Sequence, residues 1–513
     1  MAHSVCILVK RLQHRASMEQ RQWAMVFMLL VTTLATSSAL AAQRDAASAS
    51  AQIALTLKDA VLLSVRNNLE LQDAYLQNLV SKVDLWVAEG RFVPRGSVAA
   101  RLTTGDNQPV DASRDKPSEL RLRPTLEWEL PTGADLTFSW ATDGRRSNDT
   151  SESTSSLEAV MTQPLLRGAG IDINQIPVDV ARNEYANDLL DLRQTVSAKI
   201  TDVVFAYRQL KLERGRLEIA KTALERARRL VETNRRLIEA GRMAATELIQ
   251  AEADVAAQEV NLAERDNALD AARLRLLGLL NLRAGTQISP ADAIEITEVS
   301  PDYQRWLRTA LSMRPDYQRA LLSRQNRRLN RKLAENDRKW RLDLTASTRV
   351  DSRAERWLYP VPDAPYGRRW EVGLELVVPL FDRTLEQQRV RATVAEQQAD
   401  NRVESLRQSI ERDLTDKLRS LHVRRRQVDL ARRSLSLAEE QLQVAQSKLE
   451  LGRSTNFELV VLQNDLVRAE NAELRAIIDY LNLLTELDQS LGTTFATWGL
   501  AITNLTPVWE PGS

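Results

Sequence analysis

The chain has 513 residues, 43 % apolar and 27 % charged, with few aromatics and a net charge of +1. That length admits several ordinary domains or one elongated one, and the charge balance gives no sign of a nucleic-acid partner. The single cysteine, Cys6, and two of the three histidines, His3 and His14, fall near the N-terminus, leaving only His422 beyond; this excludes a disulfide scaffold, a thiol nucleophile, a cysteine-ligated metal and a multi-histidine zinc site.

Residues 1–41 read as a secretory signal. Lys10, Arg11, Arg15 and Arg21 form a basic start, the apolar run "WAMVFMLLVTTLATSSALAA" follows, and Ala39-Leu40-Ala41 is a small-x-small cleavage site. The alternative is an uncleaved anchor, since the run is near spanning length; its threonines and serines and the cleavage site favour removal. Removal takes four basic residues and Glu19, moving the net charge from +1 to about −2. An exported chain of this size without cysteine suits a cell envelope.

Next comes a helical segment near 57–90, then alternating strands. "LRLRPTLEWEL" sets Leu120, Leu122, Leu126, Trp128 and Leu130 against arginines and glutamates. "ADLTFSWAT" presents Leu136, Phe138 and Trp140, and the segment 156–161 presents Leu157, Ala159 and Met161. A helical pattern then runs from Pro177 to Ala240 with no further proline, and the apolar positions Leu217, Leu224, Val231 and Ile238 recur every seven residues, with Ala220 and Ala227 between. Such a seam faces a partner helix; the plainer alternative is a solvated bundle. Gly241 is a reversal signal, after which the pattern restarts through Leu248, Val255, Leu262, Leu269 and Leu276.

The second half repeats this plan. "LERARRLVETNRRLIEAGRMAATEL" (224–248) superposes without a gap on "LSLAEEQLQVAQSKLELGRSTNFEL" (435–459) at an offset of 211, and Pro164-Leu165 answers to Pro379-Leu380. The half opens with a helical segment near 303–339. "RLDLTASTRV" and "WEVGLELVV" follow as strands. The first places Arg341 and Asp343 opposite Leu342 and Leu344; the second places Glu371 and Glu375 opposite Trp370, Val372, Leu374 and Leu376. Pro379 ends the second strand because it has no N–H for a ladder. Leu385 to Leu451 is the second long helix, with Val428, Leu435, Leu442 and Leu449 every seven residues and Ala431, Ala438 and Ala445 three behind. At 1.5 Å per residue each long helix reaches about 95–100 Å, and after Gly452 the pattern restarts. The domains read as 1–41 signal peptide, 42–300 first repeat, 301–495 second repeat and 496–513 tail.

The alternating strands fit a half-buried soluble sheet as well as a barrel with a lipid face and a wet lumen. They are long enough to cross a bilayer, and four to six are too few to close a barrel alone, so other copies of the chain are expected to complete it.

These features together resemble the TolC family of outer-membrane efflux proteins. The most specific carriers are "TQPLLRGAG" (162–170), "VPLFDRTLEQ" (378–387) and the tip motifs "EAGRMAATELIQAEAD" and "ELGRSTNFELVVLQND"; "LPTGADL" suits a branch with a long first-half insert. The resemblance implies an α+β membrane protein: a homotrimer whose strands complete a shared barrel in outer-membrane lipid and whose coiled-coil helical hairpins form a periplasmic tunnel. It implies an exit duct for an inner-membrane pump joined through a periplasmic adaptor protein, with no cofactor, no metal and no catalysis. Four strands per protomer make twelve. The extra hairpin around Pro131-Thr132-Gly133 would make eighteen if it entered the membrane; the expectation here is twelve, with the hairpin decorating the barrel end.

By the same resemblance Glu247 and Glu458 are periplasmic gate carboxylates, with Arg242 and Arg453 near enough to offset their crowding. A further acidic position of some members is Val461 here. The alternative for both glutamates is a helix-start role favoured by the dipole. Ala240-Gly241 and Leu451-Gly452 are the adaptor-docking tips, or simply helix terminators. Arg341, Asp343, Glu371 and Glu375 face the pore. His422 in "HVRRRQVD" reads as a solvated helix face. Competing functions are the exit duct of a type I protein secretion system and a periplasmic coiled-coil scaffold; no nucleophile–base pair, phosphate loop or metal cluster supports an enzyme.

Overall fold

A computed structural model describes residues 53–104, 118–146, 151–296, 299–355, 365–451 and 453–500. The signal segment and most of the tail lie outside them, as do Cys6, His3, His14 and Gly452. The chain divides into two compact units, and each draws on both sequence halves, so compactness does not follow the repeats.

The first unit comprises residues 1–68, 202–297 and 428–478. Strands β1 (Ile53–Leu55) and β6 (Ile288–Pro290) pair in parallel, and helix α1 (Leu57–Asn67) follows β1. Thr56 caps α1 by accepting from the Asp59 N–H at 3.1 Å. The rest of the unit is helical hairpin: the latter part of α4 (Ile176–Glu239) with α5 (Thr246–Leu279), and the end of α8 (Thr384–Glu450) with the start of α9 (Asn456–Leu491). The boundaries of α4 and α8 fall within one residue of the expected helical patterns. Their seams pack together: Leu230, Val231, Ala251, Leu442, Ala445, Leu449, Leu459 and Leu466 form one buried cluster. Gly215 lets α4 approach Leu474, whose side chain would lie 2.5 Å from a Cβ there.

The second unit comprises residues 69–201, 298–427 and 479–513. It holds α2 (Leu69–Glu89), α3 (Ile171–Asn174), α6 (Tyr303–Met313), α7 (Pro315–Asp337) and α10 (Thr494–Trp498). The expected segments near 57–90 and 303–339 are thus each two helices. The break at Arg314 is forced by Pro315, which drives the preceding residue into extended backbone, φ −66° and ψ 122°. Asn68 takes the same conformation, φ −69° and ψ 124°, without a proline.

The strands of this unit form one antiparallel sheet, ordered β2 (Arg95–Thr104), β3 (Ser118–Glu129), β4 (Asp135–Arg146), β5 (Ser151–Pro164), β7 (Arg341–Ala354) and β8 (Pro365–Val377). This corrects the expectation that the hairpin decorates the barrel end: β3 and β4 are interior strands, paired with β2 on one side and β5 on the other. The ladder fixes which side chains share a face, because cross-strand partners do. One face carries Val98, Ala100 and Leu102; then Leu120, Leu122, Leu126 and Trp128; then Leu136, Phe138 and Trp140. It continues through Leu157, Ala159 and Met161, then Leu342, Leu344 and Ala346, and ends with Trp370, Val372, Leu374 and Leu376. The opposite face is mostly polar and rich in charge, with threonines, serines and a few small or apolar residues such as Val160 between the charges. Val98, Leu102, Phe138, Leu157, Trp370 and Leu374 are exposed, so among the described residues nothing covers the apolar face at these positions. Among the described residues no helix is long and apolar enough to cross a membrane.

Candidate functional site: the helix tips and the charged sheet face

At the first tip α4 ends in two backbone bonds, Gly241 N–H to Ile238 O at 2.9 Å and Arg242 N–H to Leu237 O at 2.8 Å. This is the Schellman arrangement, which needs a left-handed residue at Gly241, whose φ is +68°. The second tip repeats the outer bond, Arg453 N–H to Lys448 O at 2.8 Å. Ala240, Gly241, Arg242, Leu451 and Arg453 are all exposed.

The two gate candidates differ. Glu458 is exposed and held in a capping turn: its N–H donates to Thr455 Oγ1 at 3.2 Å, and its carboxylate accepts from the Ser454 hydroxyl at 2.9 Å. Glu247 is half-buried and sits in the first turn of α5, whose cap residue Ala245 makes no side-chain bond. Among the described residues neither Arg242 nor Arg453 forms an ion pair with a carboxylate.

Sequence reading missed the polar link between the tips. The Asn234 amide donates to Asn456 Oδ1 at 3.1 Å, and Asn456 Nδ2 donates to the Glu247 carbonyl at 3.0 Å. Below it Gln258 donates to Asn464 at 3.2 Å, and Arg226 grips Glu470 through two bonds at 3.3 and 3.2 Å. The signal was present: Asn234 continues the seven-residue series Ala220, Ala227, where the second half has Ala445.

On the sheet, Arg341, Asp343, Glu371 and Glu375 lie on the charged face, as expected. Three of them meet: Arg341 bonds Glu375 across β7 and β8 at 2.7 Å and approaches Asp343 at 3.4 Å. Glu371 stands farther along, opposite Ser347. The face continues between β7 and β5 through Arg353–Glu152 at 2.5 Å and Arg349–Glu158 at 3.8 Å, and onto the hairpin strands β3 and β4 through Arg121–Asp143. Charges of both signs interleave, so this surface is water-wetted without a strong preference for either ion sign. Among the described residues no group of His, Cys, Asp and Glu is placed to hold a metal.

A sheet greasy on one side, charged on the other and feeding long coiled-coil hairpins defines an outer-membrane channel with a helical conduit. The sequence profile of the outer membrane efflux protein family matches residues 129–282 and 306–493. The chain belongs to that family, and its place is the outer membrane, with the helices in the periplasm. No curated protein matches the sequence. Solved structures of similar fold include CusC, at 15 % identity over 86 % of this chain and 93 % of that one, with a TM-score of 0.64. VceC of Vibrio cholerae is similar at 17 % identity, over 85 % and 96 % of the two chains, with a TM-score of 0.64. The Campylobacter jejuni CmeC channel is similar at 15 % identity, over 85 % and 86 %, with a TM-score of 0.63. As a member of this family the chain serves as the exit duct of an efflux system.

Proposed function

We propose that three copies of the chain form one continuous water-filled duct that exports small molecules, docked through a periplasmic adaptor to an inner-membrane pump that supplies the energy. The chain itself carries out no catalytic step. Residues 42–300 and 301–495 act as two copies of one structural unit, each giving strands to the barrel and a hairpin to the conduit. The observation that carries this reading is a second apolar stripe on α8. Leu430, Leu437 and Val444, with Leu451 just past the helix end, recur every seven residues and are 56 %, 50 %, 47 % and 72 % exposed, on a helix whose other seam is already buried. A helix with two seams packs on two sides, and among the described residues only one side has a partner.

The tips form the closing constriction, where three copies of Glu247 and Glu458 surround the opening and bind cations by crowding like charges. Ala240-Gly241 and Leu451-Gly452 dock the adaptor; the exposed Phe457, at 61 %, adds apolar surface beside the second tip. Arg341, Asp343, Glu371 and Glu375 line the barrel.

The test is the full chain purified from outer membranes in detergent. Light scattering should give three chains per particle, and planar bilayers should show channels whose divalent block weakens in the Glu247→Ala plus Glu458→Ala variant. A monomer released by osmotic shock would sink the duct; unchanged block would remove the gate assignment.

A further inference from the structure

We infer that the membrane stage of this duct is an eighteen-stranded barrel, six strands from each chain, with the β2 edge of one copy bonded to the β8 edge of the next. The inference rests on the trimeric reading above and concerns how the trimer closes.

Three observations carry it. The first is pairing. A four-strand contribution would need β2 beside β5, but β2 lies against β3 over ten residue pairs, from Arg95↔Glu127 to Thr104↔Ser118, and β5 lies against β4. The second is the lipid face. Leu126 and Phe138 are cross-strand partners, and Phe138 is in register with Ala159, so the hairpin's apolar residues continue the face that ends in Leu374. An ornament in water would have no cause to present leucine and tryptophan on the side that faces lipid farther along. The Trp140 indole N–H on that face is satisfied locally by the Ser155 hydroxyl at 2.7 Å, as a group without water requires.

The third observation is the turn at Pro131-Thr132-Gly133, which is built into the helix end of the sheet. The Gly170 N–H donates to the Thr132 carbonyl at 3.0 Å, and the Thr132 hydroxyl donates to Gln163 at 3.1 Å. Gly133 has φ +94°, and a Cβ there would lie 2.4 Å from the Gly168 carbonyl and 2.6 Å from the Asn174 amide. Two motifs that sequence reading noticed separately, "LPTGADL" and "QPLLRGAG", are therefore one joint, and only glycine fits at its centre. The hairpin is pinned to the strand that leads into the long helix.

Closure follows from chemistry. Strand directions alternate across the sheet, so β2 and β8 run opposite ways and two copies join in the same antiparallel sense. The edges expose unpaired N–H and C=O groups over ten and thirteen residues, which cannot stay open in hydrocarbon. Six strands do not close alone, because the smallest such barrels have about eight. With strands about 4.8 Å apart and tilted about 40°, twelve strands give a backbone radius of about 12 Å and eighteen about 18 Å. Selection by size then falls on the helical tips, not on the membrane stage.

The test uses the full chain, which has no cysteine beyond Cys6. Single variants Leu126→Cys, Phe138→Cys and Leu374→Cys are labelled with a fluorophore and placed in bilayers holding a quencher in the acyl chains, with Arg123→Cys as the inward control. Equal quenching at 126, 138 and 374, and none at 123, is expected, with eighteen strands in a nanodisc reconstruction. Quenching at 374 alone, or a trimer with twelve strands, overturns the proposal and leaves the duct intact. No quenching at 374, or particles that are not trimers, overturns the underlying duct reading and this proposal with it. Should a label perturb folding, Gly133→Ala supplies a second arm: the strained joint is expected to cause loss of detergent-stable trimer, and a trimer as stable as wild type counts against an integral hairpin.

Discussion

Asn234 and Asn456 meet at 3.1 Å inside the helical hairpins, and Asn234 is fully buried. One residue ends an alanine series in the first long helix, and the other begins the returning helix of the second half. Asn456 passes the link on to the Glu247 carbonyl at 3.0 Å. Buried amides cost stability when left unpaired, about 1–3 kcal/mol each. Asn456→Ala should therefore loosen both tips at once. Hydrogen exchange at residues 247–251 and 456–460 should speed up together, with little change in the strands. Asn234→Ala should be milder, since it restores the alanine seam that the second half has at Ala445. Acceleration confined to one tip would show that the amides do not couple them.

The two seams of α8 separate folding from assembly. Leu437 is half exposed in the protomer, whereas Leu442 is 5 % exposed and lies in the hairpin core. Leu437→Glu should release monomers that keep their helix content, measured by light scattering and circular dichroism. Leu442→Glu buries a charge among leucines, costs several kcal/mol, and should prevent accumulation of folded protein. Trimers of normal stability from Leu437→Glu would exclude this stripe as the contact between copies.

Much of the fold was legible because coiled coils write their geometry locally. The long runs without an interior proline located α4 and α8 to within a residue, and Gly241 marked the reversal that its φ of +68° confirms. Strand faces were equally local, so Arg341, Asp343, Glu371 and Glu375 share a face as read. What escaped was pairing between distant segments. Leu126 alternates in the same way whether its strand lies inside a sheet or beside it. The ladders to β2 and β5 decide the matter, together with the joint of Gly133 with Gly168, thirty-five positions on. Asn234 escaped for a different reason: the series of alanines was followed for two members and not to the third, where the exception stood.

A half-buried charge cluster in the second unit sets an acid limit. Arg314 bonds Asp316 at 2.9 Å and Asp413 at 3.0 Å. Burial pushes the Asp316 carboxyl up, but the bond to Arg314 and its charge more than reverse this, so it titrates below the usual carboxylate range. A carboxyl held below its unfolded value of about 3.9 stabilises the fold above that pH and loses its contribution as pH falls through the folded value. Asp316→Asn should lower thermal stability at neutral pH and flatten its decline below about pH 4. An equally steep acid decline in the variant would assign it to other carboxylates.

The first unit has the complementary alkaline limit. The Tyr207 hydroxyl donates to the Leu55 carbonyl and shares Asp292 Oδ2, each at 2.9 Å. Burial pushes it well above the usual phenol range, and the bond to Asp292 adds to the push. A group whose folded value is raised stabilises below its unfolded value of about 10 and ceases to do so as pH climbs through the folded one. Tyr207→Phe should cost about 1 kcal/mol at neutral pH and remove part of the alkaline loss. A wild-type alkaline profile in the variant would show that Tyr207 does not govern it.

Two glycines with similar backbone angles should answer to substitution in opposite ways. Gly492 has φ +73°, and a Cβ there would meet the Met313 backbone at 2.7 Å, an obstacle with no flexible end to move aside. Gly492→Ala should lower thermal stability by about 2–4 kcal/mol. Gly241 has φ +68° with nothing within 4 Å of the added carbon. Asparagine tolerates that conformation, so Gly241→Asn should leave stability within about 0.5 kcal/mol. It nonetheless places a polar side chain outward at the first tip. If the tip receives an adaptor, crosslinking to the adaptor should fall in Gly241→Asn while the trimer persists. Undiminished crosslinking would mean that Gly241 only ends its helix, and that docking lies elsewhere on the conduit.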